Sequence, residues 1–424
     1  MAAVMFVVMI LLIITGAPIF VAMGIGCSIF VLTAKNISLV GIASHLFAGA
    51  NSFTILAVPF YLFTGVVMNS GGITRRIMDL AQAVVGQFRG GLAHVNILSS
   101  TVMAGMSGSA SADAATTSVL LIPEMVRKGY PTRFAAAVTA CSAVIGPVIP
   151  PSINMLIFAS AANVSVGKMF VAGIIPGVVI CAYEMIVTFF ISKKHNYGTV
   201  TKFSFSVFWH ALKRGILPLL TPVIIMGGIL FGWYTPTEAA VAASLYALVL
   251  GFAYKEIRIK DLPGIILETV SLTATTVLIV ALSSAMGWIA ALDSVPQKIL
   301  SVFIANTSSA AVVMLVLIVF YLLLGTIMDG VAITLLTVPI VMPLILSYGI
   351  DPVYFGVIHV LCLMIGQITP PVGMVMYITT SITKVSLAEF MREAWPYLGA
   401  LLLAVITMAL LPKLTLFLPN LIIG

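Results

Sequence analysis

Apolar segments alternate with short polar loops along the whole of this 424-residue chain. Apolar runs of about 20 residues, the length of a helix that crosses the hydrocarbon core of a membrane, recur from end to end. Glycine and proline interrupt several of them. The pattern predicts helical segments at 3–15, 17–34, 51–70, 92–128 (broken), 132–163 (broken), 168–192, 215–233, 237–254, 263–291, 309–347 (broken), 351–383 (broken) and 387–418.

The breaks recur at an offset of 220 residues. Gly146-Pro-Val-Ile-Pro-Pro151 in the first half is matched by Gly366-Gln-Ile-Thr-Pro-Pro371 in the second, and Gly105 is matched by Gly325. Over residues 105–176 this offset gives eleven identities, of which seven are Gly or Pro. Paired breaks at corresponding positions of two hydrophobic halves indicate the binding site of a secondary transporter.

The segments 92–128 and 309–347 are each too long for one membrane span and too polar in the middle for two. Non-helical backbone at membrane depth persists only where protein or a water-filled cavity satisfies its hydrogen bonds. We therefore predict that each segment forms a re-entrant helical hairpin with a polar tip. Each half then has five crossings and one hairpin, and because five is odd the second half is inverted relative to the first.

The predicted fold class is an all-α polytopic membrane protein of two inverted repeats. The amphipathic stretch before each hairpin is interpreted as an interfacial arm helix that joins a fixed part to a moving part, with an ordinary surface linker as the alternative. The first repeat covers 1–192 (scaffold helices 1–70, arm helix 74–90, hairpin 92–128, broken helix 132–163), a cytoplasmic linker covers 193–214, and the second repeat covers 215–424 (scaffold helices 215–291, arm helix 296–306, hairpin 309–347, broken helix 351–383).

The basic residues test this layout independently. It places sixteen of the 20 Lys and Arg on one side, which predicts that this side is the cytoplasm and that both termini lie in the periplasm. The sixteen are Arg75, Arg76, Arg89, Arg127, Lys128, Arg133, Lys193, Lys194, Lys202, Lys213, Arg214, Lys255, Arg258, Lys260, Lys384 and Arg392, and the other four are Lys35, Lys168, Lys298 and Lys413.

Composition agrees with a membrane protein. The chain is 61% hydrophobic and 8% charged, whereas a soluble domain has about a quarter charged residues. Its net charge of +7 is explained by the topology of the loops, so no nucleic-acid partner is expected. The start lacks a basic region and a cleavage site, so no removable signal peptide is expected. The cysteines lie in apolar spans without metal-ligand spacing and are interpreted as core residues: Cys27, Cys141, Cys181 and Cys362.

Two carboxylates lie near the middles of the predicted hairpins. A carboxylate in hydrocarbon is costly and is by default a functional candidate. Asp113 precedes Ala-Ala-Thr-Thr and is interpreted as a cap of the outgoing helix, whereas Asp329 sits at the tip itself and is interpreted as functional. Other polar residues near the breaks are either ligands or small residues that pack helices: Ser107, Ser109, Ser111, Ser152, Asn154, Thr326 and Thr369.

The Gly-X-X-X-Pro-Pro breaks predict ion chemistry. Proline lacks an amide donor and clashes with the carbonyl four residues before it, so the break frees backbone carbonyls. Carbonyl oxygens suit Na⁺, and the amides at the N-terminus of a half-helix suit a carboxylate. Nothing in the sequence resembles a nucleotide-binding loop, an HExxH motif or a dinucleotide fingerprint, so direct use of ATP is not expected.

Two other classes of protein fit the sequence less well. Gly105-Met-Ser-Gly108 matches the Gly-X-Ser-Gly of rhomboid intramembrane proteases, with His359 as a base, but the unbroken spans of that family are missing. A channel would need a continuous polar pore, which the paired closed tips oppose. We therefore expect neither an enzyme nor a channel.

Several motifs together resemble the large membrane subunit (DctM type) of TRAP (tripartite ATP-independent periplasmic) transporters, and the sialic-acid branch (SiaM-like) in particular. The resemblance covers essentially the whole chain. Its motifs are Gly105-Met-Ser-Gly-Ser-Ala-Ser-Ala-Asp-Ala-Ala115, Ile122-Pro-Glu-Met125, Arg127-Lys-Gly-Tyr-Pro131, Gly146-Pro-Val-Ile-Pro-Pro-Ser152, Tyr234-Thr-Pro-Thr-Glu-Ala-Ala240 and Gly366-Gln-Ile-Thr-Pro-Pro-Val-Gly373.

The resemblance implies Na⁺-coupled import of a carboxylate-bearing solute by an elevator mechanism, with two Na⁺ sites where each hairpin tip meets its broken helix. Carried onto this chain, the first Na⁺ site comprises Gly105, Gly108, Gly146, Ile149 and Pro151. The second comprises Gly325, Met328, Gly366, Thr369 and Pro371. Substrate would lie between the tips, near Ser107, Ser109, Ser152, Asn154 and Asp329.

The resemblance also implies partners. These are a small membrane subunit of about four spans (DctQ type), expected as a separate polypeptide, and a periplasmic substrate-binding protein (DctP type). The location implied is the inner membrane of a bacterium, and the only cofactor-like species is Na⁺ as the coupling ion. The alternative within transporters is a standalone Na⁺–dicarboxylate or citrate carrier with similar hairpins.

Overall fold

A computed structural model describes residues 2–33, 39–52, 55–198 and 203–424, so Lys35 and Lys202 lie outside the described residues. Within these ranges every regular element is helical, which confirms the predicted all-α fold. The first half contains α1 (Ala2–Ile14), α2 (Ile19–Thr33), α3 (Leu39–Ala50), α4 (Ala57–Ser70), α5 (Ile73–Val85), α6 (Gly91–Ser107), α7 (Ala110–Leu120), α8 (Ile122–Arg127), α9 (Thr132–Ala143), α10 (Ile153–Ala162) and α11 (Val166–His195).

The second half follows a similar order. Its helices are α12 (Phe205–Leu230), α13 (Pro236–Ala253), α14 (Leu262–Leu292), α15 (Val295–Asn306), α16 (Ala310–Gly325), α17 (Gly330–Ser347), α18 (Pro352–Gly366), α19 (Met374–Thr383), α20 (Leu387–Leu410) and α21 (Pro412–Ile422). In the described part of the chain six helical stretches are long and apolar enough to cross a membrane, namely Val166–His195, Phe205–Leu230, Pro236–Ala253, Ile259–Leu292, Gly330–Ser347 and Leu387–Leu410.

Several helix boundaries differ from the prediction. The helix α3 lies outside every predicted segment, because Ser44 and His45 reduce its apolar character; the His45 ring stacks on Trp288 of α14 at 4.9 Å between centroids. The helix α12 begins at Phe205, inside the predicted linker 193–214 and ten residues before the predicted start at 215. The predicted span 387–418 is wrong at its end, since the chain leaves the helix at Leu411 and restarts as α21. Pro412 explains this, because the residue before a proline disfavours helical backbone.

One group of helices, here called the scaffold group, contains α1–α4 of the first half and α12–α14 of the second half. In it α4 packs against α13, α3 against α14 and α1 against α2. The α4–α13 contact is held by hydroxyls, since Thr64 Oγ1 and Ser244 Oγ lie 3.0 Å apart and Ser244 donates to the Phe60 carbonyl at 2.9 Å. Buried hydroxyls that find such partners let two helices approach closely at membrane depth.

A second group, here called the hairpin group, contains α6–α11 and α16–α21. Its packing is exchanged between the halves: α7 packs against α19, and its counterpart α17 packs against α10. The two broken helices therefore hold the hairpin of the opposite half as well as their own. Contact with the scaffold group runs mainly through α14 against α17 and α4 against α6.

The stretches predicted as arm helices form α5 and α15. One face of α5 is buried, and its residues include Ile73, Ile77 and Ala81 at helical spacing. Its Arg76 guanidinium lies 3.7 Å from the centre of the Tyr254 ring and 3.8 Å from the Glu256 carboxylate. These contacts attach α5 to the loop that follows α13.

The motif Tyr234-Thr-Pro-Thr-Glu forms the capped start of α13. Thr235 caps α13, with its hydroxyl accepting from the Glu238 amide at 3.3 Å while the Thr235 amide donates to the Glu238 carboxylate at 2.8 Å. This reciprocal capping box fixes the start of the helix.

Candidate substrate and sodium sites

The first hairpin tip meets the first broken helix through backbone. A Cβ atom on Gly108 would lie 2.8 Å from the carbonyl oxygen of Pro151, and one on Gly105 would lie 3.5 Å from that of Pro150. Gly108 also has φ +58°, a conformation that favours glycine. Glycine at these positions therefore lets the carbonyls of the break approach the tip, which is the donor type that Na⁺ prefers.

The second tip meets its broken helix still more closely. A Cβ on Gly366 would lie 2.3 Å from the carbonyl carbon of Gly325 and 2.7 Å from its oxygen. The carbonyl of Thr326 accepts hydrogen bonds from the amides of Val372 and Gly373 at 3.0 and 3.1 Å. The peptide bonds Pro150-Pro151 and Pro370-Pro371 are both cis.

A cavity of about 370 Å³ lies between the two tips and the scaffold group. Among the described residues that line it, Asp329 is the one that carries a charge. The polar lining consists of Ser109, Ser111, Asn154, Ser271, Thr275, Thr276, Asp329 and Gln367, and the rest is apolar or glycine.

N-terminal ends of half-helices predominate around this cavity. First-turn residues of four helices of the hairpin group line it, namely Ala110 of α7, Ile153 of α10, Val331 of α17 and Met374 of α19. Two C-caps, Gly108 of α6 and Gln367 of α18, also border it, and the C-terminal ends of α16 and α18 meet each other at Gly325 and Gly366. Helix N-termini carry partial positive charge and C-termini partial negative charge. The cavity is therefore suited to an anion, and the tip contacts behind it to cations.

Asp329 has two roles in the geometry. It is the N-cap of α17, with its carboxylate accepting from the Val331 amide at 2.9 Å, and it also lines the cavity. The prediction for the other carboxylate is wrong: Ser109, and not Asp113, caps α7, because the cap position falls one helical turn earlier. Asp113 is 1% exposed inside the hairpin group.

The structure separates the predicted substrate residues into two sets. Ser109, Asn154 and Asp329 line the cavity. Ser107 is buried outside that lining, and Ser152 is occupied as the cap of α10, where its hydroxyl accepts from the Met155 amide at 3.1 Å and donates to the Pro147 carbonyl.

The residues of the two predicted Na⁺ sites cluster at their respective tip contacts only in part. Gly105, Gly108, Gly146 and Pro151 meet around the first tip, and Gly325, Gly366 and Thr369 around the second. Ile149 instead packs against Gly177 of α11, Met328 is buried beside the second tip, and Pro371 belongs to the cis bond of the second break.

Sequence reasoning missed the scaffold side of the cavity. Ser271, Thr275 and Thr276 lie on α14, in a span that reads as ordinary apolar helix. Ser271 and Thr275 are four residues apart and so share one face of the helix, which is the sequence signal that could have indicated a polar face here. Gln367, in the second break, also lines the cavity, although the sequence alone assigns it no role. In the described part of the chain no three His, Cys, Asp or Glu side chains group as a metal site would.

The DctM family model, described as the DctM component of the tripartite ATP-independent periplasmic transporter, matches residues 6–414. The chain belongs to the DctM family. This confirms the resemblance noted in the sequence and makes the protein a large permease subunit of a TRAP transporter for organic acids. Members of this family are transporter components, so the protein is not an enzyme.

Individual DctM relatives carry different printed substrates. The sialic acid TRAP transporter large permease protein SiaM of Vibrio cholerae is 40% identical over 413 residues, covering 96% of this chain and 97% of the relative. The sialic acid TRAP transporter permease protein SiaT of Haemophilus influenzae is 34% identical over 411 residues, covering 95% and 67%. The C4-dicarboxylate permease DctM of Pseudomonas aeruginosa is 35% identical over 400 residues, covering 94% of each.

A solved structure shares the fold at low sequence identity. The YdaH transporter of Alcanivorax borkumensis, described as having an unusual topology, superposes with a TM-score of 0.64 over 88% of this DctM chain and 87% of that protein, at 16% identity. The likeness shows that the two proteins share a fold.

Proposed function

We propose that this DctM protein imports a carboxylate-bearing solute, with sialic acid (N-acetylneuraminate) as the specific candidate, driven by a Na⁺ gradient. The observation that carries the proposal is the convergence of four helix N-termini, those of α7, α10, α17 and α19, on one cavity between the two tips. The cavity lining that the structure describes holds no Lys or Arg, so helix amides and hydroxyls must supply the attraction for an anion.

The substrate has a preferred direction in this cavity. The N-termini of α7 and α10 are capped by neutral serines, so their positive ends are not offset, whereas Asp329 offsets that of α17. The substrate carboxylate therefore lies near Ser109, Ser111 and Asn154. Its hydroxyl or amide groups face Asp329 and Gln367, which can accept and donate hydrogen bonds.

Two Na⁺ ions bind where each tip meets its break. The carbonyls of the Gly146–Pro151 and Gly366–Pro371 segments are the proposed ligands, and the glycines of the tips leave room for them. Each Na⁺ site is completed by a hairpin that also borders the cavity. Ion binding and substrate binding therefore both stabilise the same conformation of the hairpin backbone.

The hairpin group then moves as a unit against the scaffold group, as in an elevator. The exchanged packing of α7 on α19 and α17 on α10 supports rigid movement, and the arm helices α5 and α15 join the two groups. A small DctQ-type membrane subunit and a DctP-type periplasmic binding protein complete the system in the bacterial inner membrane.

Reconstitution tests this function. The protein and its small subunit in liposomes should accumulate labelled sialic acid when an inward Na⁺ gradient and the loaded binding protein are both present. Dissipating the Na⁺ gradient should reduce uptake to background. Uptake without any binding protein would favour the standalone dicarboxylate or citrate carrier, and equal uptake with K⁺ in place of Na⁺ would contradict sodium coupling.

Topology gives a separate prediction. Both termini are proposed to be periplasmic, so single cysteines at Lys194 and Arg258 should label only from the cytoplasm, because both follow spans that end inside. A cysteine at Lys168 should label only from outside. The native cysteines are buried and serve as the background control. Labelling of positions 168 and 194 from the same side would rule out the five-crossing half.

A further inference from the structure

The hairpin group buries two acidic side chains that the proposed transport cycle does not use. Asp113 is 1% exposed and Glu184 is fully buried; the Glu184 oxygens have no hydrogen-bond partner, and the Asp113 oxygens have none beyond the adjacent Ser100 hydroxyl. No Lys or Arg is buried anywhere in the described ranges. A buried carboxylate without a compensating charge is strongly disfavoured, so each of these carboxyls either is protonated or holds a cation.

Asp113 lies beside an oxygen-rich cluster. Its side chain is next to the Ser100 hydroxyl, which lies 3.3 Å from the Ser142 hydroxyl. Ser142 donates to Asn96 Oδ1 at 3.1 Å, and the Asn96 amide donates to Thr139 Oγ1 at 2.6 Å. All five residues are buried, and they join α6, α7 and α9. The cluster therefore brings one carboxylate and several neutral oxygens together among buried side chains.

The position of this cluster is separate from the first tip contact. Ser142 lies four residues before Gly146, Asp113 four residues after Ser109, and Ser100 five residues before Gly105. Each distance is about one helical turn, so the cluster sits roughly 6 Å behind the tip. At this distance a single ion cannot contact both the cluster and the carbonyls of the proposed tip site.

The second half shows that the helix arrangement does not require these polar groups. At the 220-residue offset the equivalents of Ser100, Asp113 and Ser142 are Phe320, Ile333 and Cys362. The second half has its own buried polar pair on the corresponding helices, Thr334 with His359 at 2.8 Å, but no carboxylate. The buried carboxylate of the first half therefore has no packing counterpart in the second.

We propose that Asp113, Ser100, Ser142 and Asn96 form a further Na⁺ site inside the hairpin group, in addition to the two tip sites. Carboxylate, hydroxyl and amide oxygens are the ligands that hard cations prefer, and Na⁺ neutralises the buried charge. The inference rests on the proposed sodium coupling. The ion would link α6, α7 and α9, so the first hairpin becomes rigid against its broken helix when Na⁺ is bound.

Counting bound ions tests the site. The protein with its small subunit, in nanodiscs, is titrated with ²²Na⁺ at fixed pH, and the number of ions bound at saturation is measured. Asp113→Asn should bind one Na⁺ fewer than the parent, and Ser142→Ala should keep the number but weaken one binding step. Glu184→Gln is the matched control, because it removes an equally buried carboxyl outside the cluster; it should bind the parental number.

The possible outcomes are distinct. An unchanged number of ions in Asp113→Asn overturns the site, whether affinity falls or not, since a fall alone would mean that Asp113 acts on the tip ion from a distance. If ion number is unchanged and only the pH profile of uptake shifts, the carboxyl carries a proton and the sodium assignment is wrong. Should Asp113→Asn not fold, Ser142→Ala with a parental binding curve overturns the site equally.

Failure of the proposed function would be seen differently. In that case the parent protein itself would show no saturable Na⁺ binding and no sodium-driven uptake. A parent that takes up substrate with Na⁺ but loses no ion in Asp113→Asn keeps the proposed function and discards only the further site.

Discussion

Replacing Gly366 with valine should reduce sodium-driven uptake to background while the protein still reaches the membrane. A Cβ at this position would lie 2.3 Å from the Gly325 carbonyl carbon and 2.5 Å from its Cα, and neither atom belongs to a flexible side chain. The second tip must therefore move away from the break. A displacement that costs about 3 kcal/mol, the upper range for overpacking, would weaken Na⁺ binding roughly 100-fold.

The first half provides the matched control. Gly146 is the counterpart of Gly366, but a Cβ there meets only the Ala143 carbonyl at 3.1 Å and reaches the tip backbone at 3.8 Å. Gly146→Ala should therefore raise the Na⁺ concentration for half-maximal uptake much less than Gly366→Ala does. Initial rates at a series of Na⁺ concentrations measure both. Equal Na⁺ dependence in the parent and in Gly366→Val would remove Gly366 from the site.

The Gly and Pro positions made the broken helices predictable. Proline in a helix interior removes a donor and clashes with the preceding turn, whatever surrounds it. The breaks predicted at Gly146–Pro151 and Gly366–Pro371 are observed, the first between α9 and α10 and the second between α18 and α19. Two equally spaced sets of breaks also revealed the repeat.

The two carboxylates were harder to assign, because capping depends on where a helix begins to within one residue. Ser109 and Asp113 are both acceptable caps in sequence terms, and only the backbone of the tip shows that the helix starts at Ala110. The same uncertainty hid the second role of Asp329, which caps a helix and lines the cavity. A cap and a ligand are not exclusive interpretations.

The scaffold side of the cavity depends on tertiary contacts that no local pattern encodes. Ser271 and Thr275 on α14 resemble the small hydroxyl residues that pack many membrane helices. What distinguishes them is that α14 lies against α17 of the hairpin group and that they line the same cavity as Asp329. Such residues are found only when the two groups are seen together.

Asp329→Asn should lower uptake about tenfold to a hundredfold without loss of the helix start. Asparagine is as good an N-cap as aspartate, so the Val331 amide keeps its acceptor. What is lost is the charge, and hydrogen bonds to a charged group contribute about 1.5–3 kcal/mol. The substrate carboxylate lies at the opposite end of the proposed cavity, since two carboxylates in a weakly screened space repel. The charge therefore acts on the hydroxyl or amide groups of the substrate.

A second substitution separates this role from capping. Asp329→Ala removes the cap as well, which costs about 1 kcal/mol of helix stability, so it should lower both uptake and thermal stability, whereas Asp329→Asn should lower uptake alone. Ser165→Ala, which removes the neutral cap of α11 away from the cavity, is the stability control. Uptake, melting temperature and retention of the small subunit are measured for all three variants. If Asp329→Asn transports at the parental rate with the parental Na⁺ dependence, the carboxylate serves α17 alone, and the substrate is held by the helix amides and hydroxyls of the first half.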